Sequence, residues 1–160
     1  MNKNLTNLNP MKKLTVILIL SLAFITIKAQ TNHEEIDYVQ AIFGMEKRAA
    51  VKDFIELSGA EATAFWKNYD AYELARKEMG KERIVLLEKF ISEYALMTDQ
   101  ESITWMKSVT SLRKRNEKLI EKYYKLILKE CSPVVAMQFY QIESYVLAGI
   151  RFQILENVPF

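Results

Sequence analysis

Histidine, cysteine, glycine and proline are all scarce in this chain. Its 160 residues include 1 His, 1 Cys, 4 Gly and 3 Pro. Each scarcity excludes something. So little Gly and Pro leaves too few turn residues for a protein of many strands, so helix is expected. The lone cysteine, Cys131, rules out an internal disulfide framework, and stability must come from packing. The lone histidine, His33, sits near the start of the folded part, where chains fray. No positioned imidazole is then available for a Ser/His/Asp or Cys/His pair. There is also no Gly-x-x-x-x-Gly-Lys run, so any binding activity is expected to work without ATP.

What is present begins with a targeting segment. Met11, Lys12 and Lys13 supply positive charge, Leu14 to Ile27 is an apolar run of 14 residues, and Lys28-Ala29-Gln30 closes it. That order is expected of a secretory signal occupying residues 1–29, cut after Ala29, with Met1–Pro10 an addition from an upstream start. An uncleaved anchor is the alternative, because Ile27 is large for its place before the cut. The run falls short of the roughly 20 residues that a spanning helix needs. Four of the 22 basic residues, Lys3, Lys12, Lys13 and Lys28, and none of the 20 acidic ones lie in the signal, leaving 18 against 20, a net of −2. Nucleic acid therefore loses its electrostatic support as a partner. The expected location is periplasmic, with no stable membrane span once the signal is removed.

Residues 30–160 read as a single all-α domain of about four helices. Ser58 with Glu61, and Thr98 with Glu101, have the spacing of capping boxes. Ser132 before Pro133 places a capping hydroxyl ahead of a proline at the first helical position. With an earlier helix from about Glu34 to Leu57, these starts predict helices over Ser58–Met97, Thr98–Glu130 and Ser132 onward. The two central ones would reach roughly 50–60 Å, so long antiparallel hairpins are expected, bent near Gly80.

Steps of four and three from Phe65 give Tyr69, Tyr72, Arg76, Met79, Arg83, Leu86 and Phe90. The matching series on the next helix is Met106, Val109, Arg113, Asn116, Ile120, Tyr123 and Ile127. Both stripes are polar in the middle, which a continuous coiled-coil seam would not be. Packing at the helix ends, with the middle left on a surface, is the expectation. Phe65, Tyr69 and Tyr72, with Trp66 beside them, are read first as core packing. The functional alternative makes Trp66, Tyr69 and Tyr72 an adaptable apolar contact surface, with Arg76, Arg83, Arg113 and Arg115 as a cationic face at the same level of the hairpin; plain solubility is the simpler account of the charges.

Acids such as Glu73, Glu78, Glu82 and Glu88 have the spacing of a solvated helix face, so no catalytic residue and no enzymatic activity is expected. His33, Cys131 and the methionines Met45, Met79, Met97, Met106 and Met137 form no close ligand pair. No metal and no cofactor is expected. Cys131 reads as a free, half-buried thiol or, alternatively, a partner in an intermolecular disulfide.

Leu57-Ser58-x-x-Glu61 resembles the L-T-x-x-Q motif of the Spy/CpxP-like family of periplasmic proteins, with Ser for Thr and Glu for Gln. A second such motif falls on Cys131-Ser132-Pro133-Val134-Val135, with Phe139 four residues on; there Cys131 and Val135 depart from the family pattern. The resemblance covers residues 40 to 155 in outline. It implies a cradle-like, all-helical subunit that can form a homodimer. It also implies ATP-independent chaperone activity toward unfolded or stressed envelope proteins. A regulator bound to an envelope-stress sensor domain is the alternative, and a purely structural helical subunit the next.

Overall fold

The computed structural model describes residues 33–157, with side chains from 43 to 156. The expected signal segment 1–29, its cut after Ala29 and the His33 side chain lie outside the described residues. The chain forms α1 (His33–Phe54), α2 (Gly59–Glu93), a 3-10 turn (Tyr94–Leu96), α3 (Asp99–Glu130) and α4 (Pro133–Asn157), and no strand occurs among the described residues. The expected all-α architecture of four helices is the one observed.

Each connection has a local cause. Thr98 Oγ1 accepts from the Glu101 backbone N–H while the Glu101 carboxylate accepts from the Thr98 N–H at 2.9 Å, a complete capping box at the start of α3. Ser58 behaves otherwise. It occupies the N-cap of α2, yet its side chain makes no capping bond. The next residue, Gly59, has φ +57°, in the left-handed region open to glycine. Glu61 is instead drawn across to the far junction, where its Oε1 accepts from the Ser132 N–H at 2.7 Å. These hydrogen bonds to Ser132 hold the Glu61 carboxyl below its ordinary range. Ser132 Oγ in turn accepts from the Val135 N–H at 3.4 Å, and Pro133 opens α4. Of the residues expected as an α2 box, Glu61 therefore fastens the base of the hairpin to the start of α4.

With 35 and 32 residues, α2 and α3 extend about 50 Å each, as an antiparallel pair. The fastened half of the pair is covered by α1 and α4. Its core joins Phe65, Tyr69 and Tyr72 of α2 to Tyr123 and Ile127 of α3 and Phe139 and Val146 of α4, with Val51 of α1 and Ile55 just beyond its end. The rings interlock edge to face: Tyr72 lies 5.2 Å from Phe139 and 5.5 Å from Tyr123. Such pairs add about 0.5–1.5 kcal/mol each to area burial.

Two expectations about the seam are corrected. On α3 the buried positions are Leu112, Asn116, Leu119, Ile120, Tyr123 and Ile127, whereas Met106 and Arg113 face solvent. The middle of the hairpin is also not left open, because α1 and α4 lie over it and bury Arg76 and Asn116. What lacks a core is the distal half, where no residue from Lys81 to Ser111 is buried.

Thr98→Ala should weaken the start of α3 by about 1 kcal/mol, read as faster amide exchange over residues 98–104. Ser58→Ala, which removes no capping bond, should leave exchange at the start of α2 unchanged.

Candidate functional site

Burying a charge requires a partner of opposite sign, and α1 carries the most buried one. Lys47 is 1 % exposed. Its ammonium donates to Glu143 Oε2 of α4 at 2.8 Å and forms an ion pair with Glu73 of α2. Glu143 Oε2 also accepts from the Tyr72 hydroxyl at 2.7 Å, and Arg76 Nε donates to Glu73 Oε1 at 2.9 Å. Two cations and two carboxylates thus balance in the interior and tie three helices together. The Lys47 stem passes the rings of Tyr69 and Tyr72, with Nζ 5.5 and 5.2 Å from their centroids.

The titration of the set follows from its surroundings. Burial alone would raise the Glu73 carboxyl, but the charges of Lys47 and Arg76 outweigh it and hold that carboxyl below its ordinary value. For Arg76 burial pulls down and Glu73 prevails, so the guanidinium is raised. Burial, then the Glu143 charge, pushes the Tyr69 and Tyr72 phenols well up. The Tyr69 hydroxyl and Glu143 Oε1 are buried without a hydrogen-bond partner among the described residues.

The seven residues expected to form a contact face therefore separate. Tyr69 and Tyr72 are core, at 0 % and 3 % exposed, and Arg76 is enclosed with Glu73. None of the three can offer a surface to another protein. Burial wins because the apolar body of each ring is matched by Phe139 and Tyr123, and because Arg76 has its carboxylate beside it. Trp66 is partly buried, with the Arg48 guanidinium 4.3 Å over its ring. Arg113 and Arg115 are exposed, but each has an acid beside it: Glu117 at 3.7 Å from Arg113 Nε, and Glu82 bridging from α2 to Arg115. Arg83 stands apart, partly buried and pushed down to about 10 by that burial and by the charges of Arg76 and Arg151.

Sequence reasoning missed the exposed apolar side chains at the distal end. Beyond the core, α2 and α3 continue as a two-helix arm held by a stack of Phe90 on Trp105 at 4.6 Å, with Tyr94 5.3 Å from Phe90. Trp105 Nε1–H donates to the Leu86 carbonyl at 2.9 Å. Around that stack Val85, Ile91, Tyr94, Leu96, Ile103 and Met106 are exposed, Leu96 at 85 %. Ile103 and Met106 line a shallow depression on α3 with Ser102, Lys107 and Thr110. The signal was there to find, since all of these apolar residues except Met106 lie off the four–three stripes. Val134, Met137, Tyr145, Phe152 and Leu155 form a second exposed apolar series along α4.

Cys131 is a free, partly buried thiol whose Sγ lies 3.8 Å from the Glu61 carbonyl oxygen. Burial, then Glu61 and Glu130, raises it above its ordinary value, which lowers its reactivity. Among the described residues no group of three or more His, Cys, Asp or Glu is placed to share a metal ion. None of the described helices is long and apolar enough to cross a membrane. Comparison with family models, with curated proteins and with solved structures finds no match to this chain.

Lys47→Met should destabilise the fold by about 3–5 kcal/mol, because it strands the buried Glu143 carboxylate and leaves Glu73 with Arg76 alone. Adding Glu143→Leu should restore much of that loss, since a charged atom no longer lies buried without its partner; urea denaturation of the single and double variants checks both outcomes. The depressed Glu73 carboxyl gives stability that is complete above the unfolded value of about 4.3 and is lost as pH falls through the lower folded value. Unfolding curves should therefore weaken on acidification below about pH 4, and Glu73→Gln, less stable throughout, should show a flatter acid limb.

Proposed function

We propose that this chain is an exported, non-enzymatic binding protein that shields apolar segments of unfolded or stressed envelope proteins without ATP. One observation carries the reading. A two-helix arm without a single buried residue from Lys81 to Ser111 keeps large apolar side chains in water. Exposed apolar surface on that scale is a recurrent mark of an interaction site. Met106 adds an adaptable, polarizable contact suited to varied sequences, and the exposed series on α4 offers more of the same. Acidic and basic side chains border the arm, including Lys89, Glu93, Lys107 and Arg115, and keep it soluble while unoccupied.

The fastened half has a different role in this scheme. Its ring core and buried charges hold the base of the hairpin still, so the arm is presented on a rigid support. The likeness of Leu57-Ser58-x-x-Glu61 to the Spy/CpxP-like motif supports the same reading. So does the signal-like composition of residues 1–29. The contact residues shift accordingly from the ring cluster at Tyr69 and Tyr72 to Ile91, Leu96, Ile103 and Met106.

At stoichiometric amounts and low salt, the protein lacking residues 1–29 should suppress aggregation of a chemically denatured client. Leu96→Ser combined with Ile103→Ser should weaken suppression several-fold while changing the melting temperature little, as Leu96 lies mostly and Ile103 half in water. Light scattering gives the first readout and circular dichroism the second. Absence of suppression by the unsubstituted protein would end the proposal.

A further inference from the structure

A cleft of about 20 Å³ lies where α2, α3 and α4 meet at the mouth of the core. Arg76, Arg83 and Asn116 supply its polar wall, and Val146, Leu147 and Ile150 its apolar one. The charges around it do not balance. Lys47 and Arg76 are matched by Glu73 and Glu143, and Arg151 Nη2 has Glu117 Oε1 at 3.3 Å. Arg83 is left over. It is partly buried and has neither a hydrogen bond nor an ion pair among the described residues.

A guanidinium partly withdrawn from water and without a protein acceptor gains from an anion that reaches it, and its planar fork of donors fits a carboxylate. Asn116 spends one amide N–H on the Leu112 carbonyl, at 2.9 Å, and keeps the other. The cleft admits a small polar group such as the end of a carboxylate, with the rest of a ligand lying toward its open side.

We propose that this cleft is a carboxylate-binding site, in which Arg83 is the main donor and Val146, Leu147 and Ile150 receive the apolar carbon next to the carboxylate. Glu143, on the same wall, disfavours a second negative charge and so selects a singly charged ligand. Either a free short-chain carboxylic acid or an Asp or Glu side chain of a bound protein segment presents this chemistry. The site is separate from the distal arm and does not depend on the arm's function.

Butyrate is the probe, titrated into the protein lacking residues 1–29 at constant ionic strength, with chloride and sulfate as controls. Butyrate should raise the melting temperature and shift the Arg83 Nε–H resonance saturably, while neither control does. Arg83→Gln should lower the apparent affinity at least about tenfold, the effect of losing one charge-assisted contact. It should also melt higher than the unsubstituted protein without butyrate, because a stranded charge has been removed; a merely structural Arg83 would make it melt lower. Arg83→Lys keeps the charge without the fork and should bind with intermediate affinity. A short acidic peptide that competes with butyrate, while its amidated counterpart does not, assigns the site to protein side chains; butyrate binding without such competition assigns it to free acids. An equal response from unsubstituted and Arg83→Gln protein, or a butyrate response no greater than that to chloride, overturns the proposal. Either failure leaves the aggregation result for the arm standing.

Discussion

The buried ammonium of Lys47 governs how the helices come together. It is the most enclosed cation in the described part of the chain, and its two carboxylates come from different helices, Glu73 of α2 and Glu143 of α4. Hydrophobic burial alone would let α1 slide along the hairpin, because apolar contact has no preferred register. A desolvated charge allows no such freedom, since displacement by one helical turn would strand Lys47 and Glu143. The Tyr72 hydroxyl, bound to the same oxygen of Glu143, adds the ring core to this constraint.

From that anchor the molecule divides by energetics into two halves. Toward the base, interlocked rings and the Glu61 link to Ser132 exclude water and fix the junctions. Toward the tip, α2 and α3 have only each other, joined by the Phe90–Trp105 stack and the Glu82–Arg115 pair. Two helices alone cannot enclose a core, so their apolar side chains remain in contact with water. Such a region is expected to open at lower free energy than the base. A lower cost of opening fits the role proposed for the arm.

Much of the helical layout was legible from single residues. Thr98 and Glu101 mark the start of α3, and Ser132-Pro133 marks the start of α4, because capping chemistry is local and needs no tertiary information. The stripe from Phe65 through Tyr72 to Arg76 does face inward, as its spacing implies. The site was far less legible. Periodicity shows which side chains share a face but not what covers that face, so the spacing leaves Tyr69 and Tyr72 open to a core reading and to a contact surface with Arg76, and α1 and α4 enclose all three. Ser58 misled for a similar reason, since Glu61 had a better partner 71 residues away.

The sequence by itself determined the helical class, the breaks between helices and the amphipathic face of α2, because these depend on Gly and Pro scarcity, capping spacing and a 3.6-residue period. Tertiary structure alone decided which charges would be buried and matched, that Arg83 would be left without an acid, and that the distal arm would stay uncovered. The reason is that α1 and α4 lie along only part of the hairpin. Desolvation and charge pairing depend on neighbours distant in the chain, and no local pattern encodes where those neighbours stop.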